Sequence, residues 1–536
     1  MPTDRTAQWW RHAVVYQVYV RSFADGNGDG TGDIAGLRSR LPYLQRLGVD
    51  AIWVNPWYRS PLADGGYDVA DYREIDERFG TTADAVDFIA DARDHGIRVL
   101  VDLVPNHTSS EHRWFREAIA APAGSAARQR YHFLDGRGDG GLPPNDWKSV
   151  FGGSAWTRVE DGQWYLHLFD ESQPDLNWEH PQVVQEFDDV MRFWLDRGAA
   201  GFRIDVAHGL AKAPGYPDAG RDVNDGKATL DPVPYLDRDE IHPIVRRWRR
   251  VVDEYGDRML VAEAWVDAAR RPLYLRPDEY HQAFDFDLLS THWSAAEFEA
   301  IIAESIRSAA AVGSDPTWVL SNHDVVRHAT RYGLPADIDP SRWLLDGPHE
   351  LLDDARGRRR ARAAALLTFA LPGSTYQYQG DELGLPEAWR LPTEVLQDPI
   401  WEDSGHTVKG RDGCRVPIPW EADGPSLGFG AVEGWLPQPP EFRTLAAAVQ
   451  ADDPDSTLVL YRRALRLRRD RLVGETGFDV LDLGRDVIAF RRGAGFTCVV
   501  NMGDDAIELP AGEVVLTSGP VDGVLLPTDT TAWLAS

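Results

Sequence analysis

The chain has 536 residues, 43% of them hydrophobic and 26% charged, which is room for one large α/β domain and one or two smaller ones. Its 85 Asp and Glu outnumber 56 Lys and Arg, and the formal charge of −29 argues against nucleic acid or anionic membrane as partners. Two cysteines are too few for a disulfide framework. No run of about 18 apolar residues occurs and the N-terminus lacks a signal-like apolar core, so a cytoplasmic protein acting on a small neutral ligand is expected.

In chain order, short β-rich runs alternate with longer amphipathic ones. Strands are predicted at 14–20, 51–54, 99–103, 201–205, 259–263, 282–287, 317–321 and 375–379. Helices are predicted between most of them, at 37–47, 82–95, 183–197, 241–255, 297–312 and 358–369, with a closing helix at 458–471. Eight strands with helical crossovers favour a (β/α)8 barrel over an open doubly wound sheet, and no Gly-x-Gly-x-x-Gly follows a strand.

Three insertions, 106–177, 212–239 and 386–440, leave the C-terminal ends of predicted strands, the face on which barrel active sites sit. The predicted division is a barrel of 1–105 and 178–472, an inserted lobe of 106–177, and a C-terminal antiparallel β-sandwich of 473–536. In the last, strands are expected at 479–483, 487–491, 497–501 and 513–517.

Four strand ends carry chemistry: Asp102-Leu103-Val104-Pro105-Asn106-His107, Gly201-Phe202-Arg203-Ile204-Asp205, Val261-Ala262-Glu263 and Asn322-His323-Asp324. Arg203 and Asp205, two apart on a strand, share a face, so the guanidinium can keep the carboxylate ionised and aimed. Alone, each motif also reads as a structural ion pair or a helix cap. Together they supply the acids that glycoside hydrolysis needs: one ionised nucleophile and one protonated partner about 5–5.5 Å away for retention. Asp25-Gly26-Asn27-Gly28-Asp29-Gly30-Thr31-Gly32-Asp33 is a separate signal. Its alternating oxygen ligands, Asp25, Asn27, Asp29, Thr31 and Asp33, suit a structural Ca2+ loop, although Gly36 stands where an EF-hand has a bidentate Glu. A metal-free Gly/Asp turn is the alternative.

These four segments, in this order, resemble the principal sequence regions of the α-amylase family of glycoside hydrolases. Gln173-Pro174-Asp175-Leu176-Asn177 resembles a fifth region in its oligo-1,6-glucosidase form, and Gly373–Gly384, ending in Gly-Asp-Glu-Leu-Gly, the eighth-strand region. The resemblance implies Asp205 as nucleophile, Glu263 as general acid/base and Asp324 as transition-state stabiliser. Glu263, beside Ala262, Ala264 and Trp265, is expected in an apolar pocket that keeps it protonated. The same resemblance implies His107, His323 and Asp68 as partners of sugar hydroxyls, Tyr67 stacked beneath the ring, and Arg415 closing the pocket, although the family's Arg-Thr-Pro-Met-Gln-Trp is altered here to Arg-Val-Pro-Ile-Pro-Trp. Phe151, Phe169 and Gln173 are either pocket walls or ordinary packing of the inserted lobe.

An exo-acting α-glucosidase on short α-glucosides is therefore expected, with glucosyl transfer as a side reaction, working as a monomer or homodimer. Val206 after the nucleophile goes with α-1,6 cleavage in oligo-1,6-glucosidases. The context Val206-Ala207-His208 looks more like actinobacterial α-glucosidases, so α-1,4 linkages are favoured. Sucrose isomerisation is disfavoured because an Arg-Leu-Asp-Arg-Asp loop does not follow Asp324. A sugar-binding homologue without turnover is the non-enzymatic alternative.

Overall fold

The computed structural model describes residues 8–221, 227–228, 233–475, 477–493 and 495–535. Eight parallel strands close into a barrel: β1 Val14–Val18, β2 Ala51–Val54, β3 Arg98–Leu103, β4 Gly201–Ile204, β5 Met259–Ala262, β6 Gln282–Asp285, β7 Thr317–Val319 and β8 Ser374–Tyr378. Each strand pairs with its chain neighbours and β1 pairs with β8, which leaves no open edge. The strands are buried on both faces, the reason they read as apolar runs without strict alternation.

Register, more than local sequence, assembles the site. Arg203 on β4 lies opposite Asp102 on β3 and Val261 on β5. Gly201 opens β4 at φ +145°, and a Cβ there would stand 1.9 Å from the Met259 carbonyl oxygen. Only glycine lets β4 and β5 approach at this point.

All eight predicted strands are present. The expected single helix over 37–47 is instead two, Ile34–Ser39 and Leu41–Leu47. The break falls at Arg40, because Pro42 suits the first turn of a new helix and not the middle of a continuous one. The helix Thr82–Asp94 starts in a capping box between Thr81 and Asp84.

Segment 106–177 carries a small sheet of Phe133–Asp135, Gln163–Leu166 and Trp156–Arg158. Its two ends are joined to each other by an isolated bridge from His107 to Asp175. In the predicted insertion 212–239, residues 222–226 and 229–232 lie outside those described. The chain ends in a five-stranded antiparallel sheet ordered Asp479–Val480, Val487–Arg492, Phe496–Asn501, Thr530–Ala535, Glu513–Thr517. One of its two most buried strands, Thr530–Ala535, is missing from the sequence-based prediction. Trp533 on that strand donates to the Leu366 carbonyl and seats the sheet on the helix Asp354–Ala370. Among the described residues no helix is long and apolar enough to cross a membrane.

Candidate active site

A cavity of about 1110 Å3 opens at the C-terminal ends of the barrel strands, lined by Asp205, Glu263 and Asp324 together with Asp64, Tyr67, His107, Phe151, Phe169, His323 and Arg411. One guanidinium organises its floor. Arg203 is buried and bonds Asp102 at 2.9 Å, Asp205 at 2.6 Å and Glu263 at 2.8 Å. Asp205 and Glu263 sit on its two terminal nitrogens, which holds them side by side.

Three carboxyls around one cation cannot all ionise cheaply in a buried site. Burial pushes Asp102 up to about 6 against the pull of Arg203. Burial also pushes Asp205 up, opposed by Arg203 and reinforced by Glu263 and Asp102. Both shifts run against full ionisation of Asp102 and Asp205, and protons titrate from the set and not from one residue.

Glu263 does not sit in the apolar pocket that its flanking alanines suggest. Its Oε2 accepts from the Val206 backbone N–H at 3.0 Å and contacts Arg203, and its Oε1 accepts from Trp265 Nε1 at 3.2 Å. The Val206 N–H reaches it because Val206 adopts φ +43°, a left-handed conformation that a β-branched residue rarely takes.

Asp324 faces this group from the end of β7. Burial opposes its ionisation, but His323, Arg411 and Arg415 hold it well below the usual carboxylate range. Burial pushes His323 and His107 down toward the neutral form, opposed at His323 by Asp324 and at His107 by Asp175. His323 stacks on Tyr67 with ring centroids 5.2 Å apart and bonds Gln17 Nε2 through Nδ1 at 2.7 Å. The Tyr67 hydroxyl donates to Asp102 at 3.0 Å.

Two of the residues implied for sugar binding are displaced from the roles given them. Asp68 is buried and turned away from the cavity, accepting from Ser60 Oγ at 2.9 Å and from the backbone N–H groups of Ala63 and Asp64. Asp64, four residues earlier, is the acid on the cavity wall. Arg415 stands behind the wall, donating to the His323 carbonyl at 2.9 Å and to Asp324 at 3.0 Å. Arg411 lines the cavity instead, paired with Asp64 at 2.7 Å and backed by Asp398, which it holds down to about 2 despite burial. The faint signal for both was their setting in glycine turns, Asp64-Gly65-Gly66 and Gly410-Arg411.

Phe151 and Phe169 line the cavity with rings 5.7 Å apart, and the Arg411 guanidinium lies 5.1 Å from the Phe151 ring. Gln173 is fully buried behind them, linking His107 at 3.0 Å to Asp64 at 3.1 Å. Sequence reasoning also missed Lys212, whose buried ammonium pairs with Asp175 at 2.7 Å and fixes the base of the inserted lobe.

The glycine-rich loop lies away from this cavity. Asp25 accepts from the N–H groups of Gly28 and Gly30, Asp33 from Gly26, Asn27 and Gly36, Asn27 from Asp29, and Asp29 from Thr31. Asp33 thereby caps the helix Ile34–Ser39. Among the described residues no three His, Cys, Asp or Glu side chains are arranged to hold a metal ion.

A family model described as "Alpha amylase, catalytic domain" matches residues 17–475. A probable alpha-glucosidase of Rhizobium meliloti is 38% identical over 94% of this chain and 91% of its own length. An oligo-1,6-glucosidase of Parageobacillus thermoglucosidasius is 34% identical over 86% and 84%. The solved structure of an alpha-glucosyl transfer enzyme superposes with a TM-score of 0.85 at 35% identity, covering 99% of both chains. Barrel, inserted lobe, C-terminal sheet and a buried acid cluster on Arg203 thus coincide with a match over most of the chain, and the protein belongs to the α-amylase family of glycoside hydrolases.

Proposed function

We propose that the protein is a retaining, exo-acting α-glucosidase that removes glucose from the non-reducing end of short α-glucosides. The observation that carries this reading is the pairing of Asp205 and Glu263 on neighbouring nitrogens of Arg203, beside a wall formed by the Asp64–Arg411 ion pair. Adjacent carboxyls suit the short separation of a retaining mechanism, about 5–5.5 Å. An ion pair in this wall would stop a chain from continuing past the terminal glucose.

In the first step the Asp205 carboxylate forms a bond to C1 as the C1–O bond to the leaving group breaks, and Glu263 passes the proton of the cluster to the departing oxygen. In the second, water gives its proton back to Glu263 and displaces Asp205, so the product is α-glucose. Asp324, held ionised by Arg411 and Arg415, accepts hydrogen bonds from ring hydroxyls as positive charge develops at C1. Maltose-type α-1,4 bonds are the favoured substrates. The kinship with an oligo-1,6-glucosidase and the valine at 206 keep α-1,6 cleavage as the second reading. Turnover of maltose, isomaltose and p-nitrophenyl α-glucoside, with the first-formed anomer read by proton NMR, tests this directly. β-Glucose as first product, or no turnover of any of the three, would sink the reading.

Asp64→Asn removes the charged partner of Arg411 and is expected to lower kcat/KM roughly 10- to 100-fold. Asp68→Asn instead weakens the 60–64 turn and shows in a lower denaturation midpoint. Full kcat/KM in Asp64→Asn with a large loss in Asp68→Asn would reverse this assignment.

Calcium binding by Asp25, Asn27, Asp29, Thr31 and Asp33 belongs to the same proposal. It rests on the hard-oxygen donor set, three carboxylates within nine residues. Chelation with EDTA is expected to lower the melting temperature and added Ca2+ to restore it. Identical melts, with no heat of Ca2+ binding in calorimetry, would leave the loop held by its own hydrogen bonds. One chain supplies every group of the site, so a monomer or homodimer suffices, and two buried free cysteines accord with a cytoplasmic location.

A further inference from the structure

Outside the three acids, the loop after β5 carries an indole fixed from both sides. Trp265 stacks on Phe286 with ring centroids 3.9 Å apart and planes 14° from parallel. The Lys227 ammonium lies 5.2 Å from the centroid of the same ring. Phe286 is buried at the end of β6, so the ring rests on the barrel itself. The Trp265 carbonyl accepts from the Ala228 N–H at 2.8 Å, which ties the loop to the insertion after β4. This packing leaves the indole N–H little freedom, and it points at Glu263 Oε1 at 3.2 Å.

The two oxygens of Glu263 are thus unlike. Oε2 accepts from a guanidinium N–H and a backbone N–H, which leaves it no favourable direction for a proton of its own. Among the described residues Oε1 accepts only from the indole N–H, and it is the oxygen able to carry and transfer a proton. An N–H donor binds a carboxylate more strongly than a carboxylic acid, so its bond to Oε1 tightens as the proton leaves. An interaction stronger after proton transfer than before it lowers the barrier to that transfer.

We infer that Trp265 is a positioning residue for acid catalysis: clamped between Phe286 and Lys227, it directs the proton of Glu263 Oε1 toward the leaving oxygen and stabilises the carboxylate left behind. The inference rests on Glu263 being the general acid/base, as proposed above. It follows that the contribution of Trp265 scales with how much protonation the leaving group needs.

The test uses Trp265→Phe, which keeps an aromatic ring on Phe286 and removes the N–H together with the pyrrole half of the indole. Maltose has a basic leaving oxygen, p-nitrophenyl α-glucoside a weakly basic one, and α-glucosyl fluoride a leaving group that departs with little help from an acid. The variant should lose the most kcat/KM on maltose, on the order of 10-fold or more, less on the aryl glucoside and least on the fluoride. Loss of a donor to the ionised carboxyl also moves the basic limb of the kcat/KM profile to higher pH. A uniform loss on all three substrates with an unmoved profile would assign Trp265 a structural role only and overturn the inference. A wild-type enzyme that turns over none of the three substrates would instead defeat the glucosidase reading, so the two failures are distinguishable. Phe286→Leu, which keeps the N–H but loosens its support, should show the same ordering with smaller losses. Wild-type kinetics in both variants would also overturn it.

Discussion

Asp205→Asn is expected to lower turnover of p-nitrophenyl α-glucoside on the order of 10^4-fold or more, with the fold intact. The amide cannot form the glycosyl ester, and neither Asp102 nor Glu263 can replace it. Asp102 is locked by Trp53, Tyr67 and Arg203, and Glu263 by Val206, Trp265 and Arg203. Stability should hold or rise slightly, because the substitution replaces one of three crowded buried carboxyls by a neutral amide while Arg203 keeps two partners. Activity together with a thermal melt checks both halves. Substantial residual activity would remove Asp205 from the nucleophile's role.

Arg203→Leu should be the most damaging single change to the folded state. It leaves Asp102, Asp205 and Glu263 buried together without their shared cation, and breaking such a buried pairing costs about 3–5 kcal/mol. Part of that cost is avoided by taking up protons, and a protonated Asp205 is no nucleophile, so activity falls along with stability. Arg203→Lys should recover much of the stability but little activity, since one ammonium cannot present two fixed nitrogens to two carboxyls. A denaturant midpoint and a kcat/KM value for each variant separate the effects. A wild-type midpoint in Arg203→Leu would show that the guanidinium is not what holds the acids together.

The alternation of short apolar runs with amphipathic ones made the barrel legible, because a strand buried on both faces has no polar period to confuse it. The three acids of the cavity were legible for a related reason: each sits past the end of a barrel strand, where local motif and position on the fold coincide. Arg203 and Asp205 share a short motif, and their 2.6 Å contact needs nothing beyond strand geometry. The strand Thr530–Ala535 was overlooked, since its worth lies in pairing with both Phe496–Asn501 and Glu513–Thr517 and not in its own pattern. The split of the helix over 37–47 was available from Pro42 alone.

The sequence by itself determined the barrel, because it rests on a repeated period, and its four strand-end motifs with their family resemblance pointed to the reaction class and to the three acids that the fold brings to one cavity. Only the tertiary structure decided which acid and which arginine face the cavity. Asp64 and Asp68 are four residues apart in one turn, and Arg411 and Arg415 in another, so residue type and spacing cannot tell them apart. The choice is made by an ion pair between positions 347 residues apart in the chain, Arg411 to Asp64. The surroundings of Glu263 were decided in the same way. Its alanine neighbours in sequence suggested an apolar pocket, whereas register and a strained Val206 bring Arg203, a backbone N–H and the Trp265 indole to its oxygens. A carboxyl's environment is set by what closes on it in space, and in a barrel that comes from the neighbouring strands.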